Sequence, residues 1–560
     1  MPSWIRGSYL IRDFAKHVFG LAAQRGGETV AIERLDKNSF RVPSGSGAIA
    51  LDYGVYAYDA SVRKAWLDER RGFFNAGSLC YRPDSDGSLS YELHLARPLA
   101  TACERWKVAT TLPALEVDHD GFGRYLAPDY ETLIDHPVEL ADFQYHRFDV
   151  DGIEHALVVS GRVDFDGERV AHDLQKVCKV ERDLFEGEPR LPRYLFLTNV
   201  VGSGYGGLEH RESTALICAR GDLPSRGDTA MSREYRQFLG LCSHEYFHLW
   251  NVKRITADAF LRSDLSKEAY TADLWHYEGV TSYYDDLFLL RAGLIPAVEY
   301  LDLVAEQATR LERAPARQLQ TLADASFETW IKYYQPDENS PNASLNYYVK
   351  GALAALCLDL HLRLHSSTTL DEVMRTLWRR YGAEGVGVPE RGLEAVAREL
   401  SGLPLQSFFD VALRSTAELP LVELLDAFGV GAERRPQYSV IDNGGRSGGR
   451  PPLAWAGLRL KPGDTVVAHV LAQSPAQAAG LSAGDKLVAW DGWRLTPASW
   501  QRFVDHAVPG QAVSLHYFRD DELLTTVLTP VAPPADTWVL MLREEVPAEV
   551  AERRMRWLGC

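Results

Sequence analysis

A multidomain α+β fold is what this 560-residue sequence predicts, on three observations. Short strand-type runs punctuated by Gly and Asp fill the chain from Met1 to about Val150. Helical periodicity dominates from Ser232 to about Ala427. A Gly/Arg/Pro-rich stretch over 432–452 then reads as loop, and a fresh set of short strands and turns follows it. The length agrees, since about 150 residues per domain allows three or four, and a chain of this size buries a large core.

The first segment, 1–155, contains Ala48-Ile49-Ala50-Leu51, Tyr91-Glu92-Leu93-His94-Leu95 and Trp106-Lys107-Val108-Ala109-Thr110. Several short strands of this kind suggest a β-sandwich-like domain. Near residue 160 the pattern changes to a helical period over Val170–Val177, followed by the apolar strand Tyr194-Leu195-Phe196-Leu197. Ser232 is a candidate N-cap with Glu234 in the first turn, and apolar residues recur at Phe238, Leu241, Cys242 and Leu249, so a buried amphipathic helix is expected there. It carries His244-Glu245-Tyr246-Phe247-His248. Residues at i and i+4 share a helix face, so both imidazoles can reach one cation. Glu245 can then reach a water bound to that cation and act as general base, as in zinc proteases.

A catalytic zinc needs a third protein ligand and keeps its fourth position for water. Downstream, Leu274-Trp275-His276-Tyr277-Glu278-Gly279 opens what reads as a helix running to Gly293. Glu278 is a single carboxylate among aromatic and small residues, which suits an inward ligand better than a solvated face. His276 competes, but it lies about 200° around a 3.6-residue period from Glu278, so only one of them can face the metal. Glu278 is the choice, giving one Zn2+ per chain on His244, His248 and Glu278.

Lys and Arg number 60 against 77 Asp and Glu, a net charge of −17, which argues against nucleic acid or an anionic membrane as partner. The seven cysteines are scattered without metal-knuckle spacing, so reduced thiols in a cytoplasmic setting are expected. No apolar run is long enough to span a membrane, and no signal-peptide pattern opens the chain.

The string from His244 to Ile255, His-Glu-Tyr-Phe-His-Leu-Trp-Asn-Val-Lys-Arg-Ile, with Trp275-His276-Tyr277-Glu278-Gly279, resembles the glycyl aminopeptidase family of zinc metallopeptidases. Pro2-Ser3-Trp4, Gly7–Phe14, Gly206–His210 and Pro336–Asn342 extend the resemblance over nearly the whole chain. It implies a thermolysin-like, gluzincin catalytic domain over 156–430 and a preference for peptides with a small N-terminal residue, glycine or alanine. It also implies a further strand or two before Pro2, so the chain reads as beginning inside its first domain, with any export signal upstream of it. By position, Gly206-Gly207-Leu208-Glu209-His210 is similar to the exopeptidase signature of the alanyl aminopeptidase group, whose glutamate holds the substrate's free amine. The glycines let a substrate backbone approach, and the Glu209 carboxylate is a natural partner for an ammonium group. A Gly-rich turn with a surface Glu, leading into a strand at Thr214–Ile217, is the plainer reading. Tyr348-Val349-Lys350-Gly351 looks like the element whose phenol stabilises the oxyanion; adjacent Tyr347 is the alternative donor.

Beyond the 431–452 loop, Trp455-Ala456-Gly457-Leu458, Ser474–Leu481 and Gly484–Gly492 resemble a PDZ domain of the bacterial protease type over 453–545, with a tail at 546–560. Such a domain adds an extended peptide to a sheet edge and holds a terminal carboxylate on amides near Ala456–Leu458, so protein C-termini are the implied ligand. Three functions therefore compete: a zinc aminopeptidase acting on peptides, a PDZ-assisted zinc endopeptidase in which Glu209 is structural, and a non-catalytic peptide-binding scaffold. The co-occurrence of His244, Glu245, His248 and Glu278 favours an enzyme.

Overall fold

The computed structural model describes residues 1–84, 89–439, 441–446 and 448–560, which form two compact units. One comprises Met1–Thr271, Tyr284–Leu294 and Met374–Gly392; the other comprises Ala272–Tyr283, Ile295–Val373 and Leu393–Cys560.

A five-stranded mixed sheet forms the centre of the first unit. Its strands are β1 (Gln144–Val150), β2 (Ile153–Ser160), β3 (Arg193–Val201), β4 (Gly206–Glu209) and β5 (Ser213–Ala219), in the order β1-β2-β3-β5-β4. β2, β3 and β5 run parallel, and β4 is an antiparallel edge strand on β5. Strands covered on both faces read as unbroken apolar runs, which accounts for Ala156–Val159 and Tyr194–Leu197. Helix α1 (Gly167–Leu184) connects β2 to β3 and starts at Asp166, which accepts the Arg169 amide. Helix α2 (Arg233–Phe247) starts at Ser232, whose side chain accepts the Tyr235 amide, the cap expected from the sequence. It packs on α1 and across β4 and β5. Tyr246 turns inward against Tyr194, with ring centroids 4.7 Å apart.

Small antiparallel sheets precede this core. The expected strands occur within them at Ile49–Val55, Tyr91–Leu95 and Lys107–Ala109. Arg71 in one of these sheets makes two 2.7 Å bonds to the buried Glu139 carboxylate, which also accepts Ser160 Oγ of β2 at 2.5 Å. Helix α3 (Val280–Arg291) contributes its residues from Tyr284 onward to this unit, where Tyr284 and Phe288 pack on Phe247.

The single helix expected over 274–293 is two pieces: a wider π-type turn at Trp275–Gly279 running into α3. In the second unit, α4 (Ala297–Glu312) and α5 (Tyr347–His365) are its long helices. Nearly every residue of α5 from Val349 to Leu360 is buried, as its all-round apolar sequence requires. The loop expected over 431–452 opens with strand β6 (Val430–Arg435), and its Val440 and Ser447 lie outside the described residues. Next come β7 (Leu458–Leu460), β8 (Val467–Val470), β9 (Lys486–Trp490), helix α6 (Pro497–His506), β10 (Val513–Arg519), β11 (Glu522–Leu528) and β12 (Thr537–Leu542). Val467, Leu487, Trp490, Trp500, Leu515 and Leu528 share one core, while β12 leaves that region to pair with β6. The C-terminal tail is a helix, α7 (Ala548–Leu558), because Trp557 has a buried place beside Phe428 and Tyr300, with centroids 5.6 and 6.3 Å away. Among the described residues no helix is long and apolar enough to cross a membrane.

Candidate metal centre and active site

His244 lies in the last turn of α2 and His248 caps its C-terminus, so one helical turn separates two imidazoles whose centroids are 4.6 Å apart. Each is held from behind. His248 Nδ1 is 2.7 Å from the Asn251 carbonyl oxygen, and His244 Nδ1 is 3.0 Å from Asp285 Oδ2 on α3. A carbonyl only accepts, so the His248 proton sits on Nδ1 and Nε2 carries the lone pair; the carboxylate selects the same tautomer in His244. Burial pushes the Asp285 carboxyl up against the opposing pull of His244. Deeper in, Ser243 donates to the fully buried Glu181, whose carboxyl desolvation raises far above the ordinary range.

Within the second unit, two motif glycines set the backbones of Glu278 and Tyr348. A Cβ built on Gly279 would lie 2.5 Å from the Gly351 Cα, and one on Gly351 would lie 2.8 Å from the Gly279 Cα. The Glu-Gly and Lys-Gly pairs therefore exist because the π-type turn and α5 touch main chain to main chain. Gly351→Ala is expected to destabilise the protein by about 1 to 3 kcal/mol through overpacking, read as a lower denaturant midpoint. Tyr348 Oη lies 2.7 Å from Tyr334 Oη, and burial, reinforced by the Glu278 charge, raises its phenol. Tyr347 Oη is buried without a hydrogen bond among the described residues.

The ligand atoms of His244, His248 and Glu278 all lie within 4.8 Å of one another. His276 is not in this group; it is buried against Tyr277, centroids 4.4 Å apart, and burial lowers it to about 3. Two imidazoles with fixed tautomers and one carboxylate are a donor set that fits a divalent cation with a position to spare.

A second group, Glu209, Glu245 and His248, also has its ligand atoms within 4.8 Å. Both carboxylates are buried, at 4 and 5 % exposure. Edge strand β4 brings them together because Gly207 has no side chain: a Cβ there would meet Glu245 Oε1 at 2.1 Å. Gly7, at φ +93°, does the same for Glu209, again at 2.1 Å. Gly207→Ala is expected to displace the Glu245 carboxylate and lower turnover while leaving metal uptake intact, as metal analysis beside kcat would check.

Burial and the neighbouring Glu209 charge raise the Glu245 carboxyl to about 7, while His248, His244 and Arg63 oppose the shift. A carboxyl raised in the folded state holds its proton more tightly there than in the unfolded chain. The cost of burying its charge therefore accrues as pH rises from about 4.5 to about 7 and is complete above that. In metal-free protein, the Tm advantage of Glu245→Gln over the parent should grow across this window and then level; an advantage independent of pH would contradict it.

Four residues that sequence reasoning did not single out support the site. Asp285 and Asn251 hold the histidines, and Tyr334 meets Tyr348. Arg63, from the N-terminal region, donates to the Gly207 carbonyl at 3.0 Å. Asn251 lies inside the quoted His244–Ile255 string, but the other three carried no local signal because their roles depend on tertiary placement.

Residues 237–354 match the family described as M61 glycyl aminopeptidase, and residues 1–142 match the peptidase M61 N-terminal domain. Among solved structures, the chain is 40% identical to an aminopeptidase N family protein from Idiomarina loihiensis, covering 100% of this chain and 94% of that one at a TM-score of 0.95. Similarity to an M1 zinc metallopeptidase from Deinococcus radiodurans is 14% identity over 71% of this chain and 85% of that one, TM-score 0.45. Legionella pneumophila aminopeptidase A shows 13% identity over 70% and 44%, TM-score 0.46. The chain is a metallopeptidase by family. It belongs to the M61 glycyl aminopeptidases.

Proposed function

We propose that the protein is a zinc aminopeptidase that removes a small N-terminal residue, glycine or alanine, from peptides, with one zinc per chain on His244, His248 and Glu278. The observation that carries this is the buried pair Glu209 and Glu245 beside His248, one carboxylate for each end of the reacting group. When bound, zinc would supply Lewis-acid polarisation of the scissile carbonyl and a lowered water pKa. Glu245 takes the proton of the attacking water and returns it to the leaving amine; its Oε2 is buried and makes no hydrogen bond among the described residues, so it is available for that exchange. Glu209 receives the substrate ammonium, which fixes the register at one residue from the N-terminus. Arg63 holds the Gly207 carbonyl, and with it the strand along which the substrate backbone lies.

Tyr348 donates to the oxyanion that develops at the carbonyl. Its 2.7 Å partner Tyr334 fixes the phenol's direction, which supports Tyr348 over Tyr347 as donor. Tyr348→Phe is expected to lower kcat about 10²- to 10³-fold with little change in KM. The same reading takes 453–545 as a PDZ domain presenting the edge of β7 to protein C-termini, and a cytoplasmic setting. The test is zinc content together with cleavage of glycine and alanine anilides, free and N-acetylated. Stoichiometric zinc and cleavage confined to free-amine anilides are expected; equal cleavage of both would favour the endopeptidase.

A further inference from the structure

The first unit contains a cavity of about 380 Å³ that the peptidase chemistry does not use. It is lined by His210–Glu212, which follow Glu209, and by Val252–Arg254, which follow His248, together with Arg6, Gly7, Asp135 and His136. Its wall carboxylates are already engaged. Glu131 is bound by Arg6, Asp135 by Lys253 Nζ at 2.6 Å, and Glu212 faces His136 Nε2 at 3.8 Å. Asp129 caps a short helix through the Thr132 amide.

Two of the cations, Arg211 and Arg254, are not matched in the same way. Arg254 donates from Nη1 to the carbonyls of Leu249 and Arg211, at 2.9 and 3.0 Å, and pairs with no carboxylate among the described residues. Arg211 likewise has no carboxylate partner among them. Burial and the charge of Arg211 lower Arg254 to about 10, which Glu212 and Asp135 only partly offset. His210 is 2 % exposed; its Nδ1 faces Asp135 Oδ1 at 3.4 Å, and its Nε2 makes no hydrogen bond among the described residues. Two guanidinium groups that repel each other beside a buried imidazole whose Nε2 is unanswered are walls suited to an anion.

We propose that this cavity binds a small oxyanion, a phosphate or carboxylate group, between Arg211, Arg254 and His210. The ligand would bridge the two guanidiniums and accept from the imidazole. Its position gives it a route to the peptidase centre. Gly7 lines the cavity and touches Glu209 on its other side, His210 follows Glu209 in the chain, and the Lys253 amide donates to the His248 carbonyl at 3.1 Å. Occupancy would therefore tighten the wall that carries Glu209, acting on substrate binding and not on the chemistry at Glu245.

The test is titration calorimetry on the full-length, zinc-loaded protein with inorganic phosphate and, separately, with succinate. Saturable one-to-one binding of at least one of them is expected, phosphate alone marking a phosphate-bearing ligand and succinate alone a carboxylate. Replacing Arg211 and His210 together by Gln should weaken that binding at least about tenfold, the worth of one charge-assisted hydrogen bond. Arg211 is exposed, so Arg211→Gln alone, with a smaller loss expected, keeps the test decisive if the double variant does not fold. Absence of binding by both anions overturns the proposal. So does unchanged affinity in the variants, because the anion would then be sitting elsewhere, the metal included.

Discussion

Glu245→Gln is expected to keep its zinc and lose about 10²- to 10⁴-fold in kcat, the range a positioned general base contributes. The amide has nearly the carboxylate's shape, so the Gly207 surface that packs on it is undisturbed. The groups that orient the proposed metal ligands are elsewhere, Asp285 behind His244 and the Asn251 carbonyl behind His248, and neither depends on residue 245. What the amide cannot do is accept a proton. The parent carboxyl, lifted by burial and by Glu209, is a stronger base than an ordinary glutamate. Metal analysis and kcat on a glycine anilide, measured on the same preparation, separate the two effects. A zinc-loaded Glu245→Gln enzyme that turns over at the parent rate would remove Glu245 from the mechanism.

Much of this site was legible because its parts are local. The i, i+4 histidines need only a helix, and Ser232 with the apolar repeat through Phe238 and Leu241 announced one. Gly206-Gly207 reads as room for a substrate backbone; in the structure the group packed against Gly207 is the Glu245 carboxylate. The α-helical angle used to choose between His276 and Glu278 rested on a helix that is in fact a π-type turn there. In the structure His276 is buried against Tyr277, and it is Glu278 whose ligand atom lies within 4.8 Å of those of His244 and His248. Hidden from the sequence were the long-range partners. Asp285 lies 41 residues from His244, and Arg63 lies 144 from Gly207, distances over which no periodicity carries information. The strand at the start of the Gly/Arg/Pro-rich stretch was missed because its stability comes from pairing with β12, more than 100 residues later in the chain. The terminal helix α7 was missed similarly, since its Trp557 packs on Tyr300 and Phe428, more than 100 residues earlier in the chain.

The reading of Glu209 as amine anchor makes the second large prediction. A buried carboxylate answering an ammonium is worth roughly 1.5 to 3 kcal/mol, a factor of about 10 to 150 in kcat/KM. N-acetylation removes the ammonium and leaves Glu209 desolvated opposite an uncharged amide, so blocked glycine and alanine anilides should be cut slower by at least that factor. In Glu209→Ala the free-amine substrate should fall by a similar amount while the acetylated one changes little, so the two become nearly equal. Zinc content should stay at the parent value, because the proposed ligands are His244, His248 and Glu278. The variant also relieves a like charge beside Glu245, so its carboxyl should titrate lower and the acid limb of kcat/KM should move to lower pH. That shift distinguishes loss of an anchor from general damage to the site, which would slow both substrates without moving the limb. Should acetylated anilides already be cut as fast as free ones by the parent enzyme, Glu209 is no amine anchor and cleavage within a chain becomes the better account.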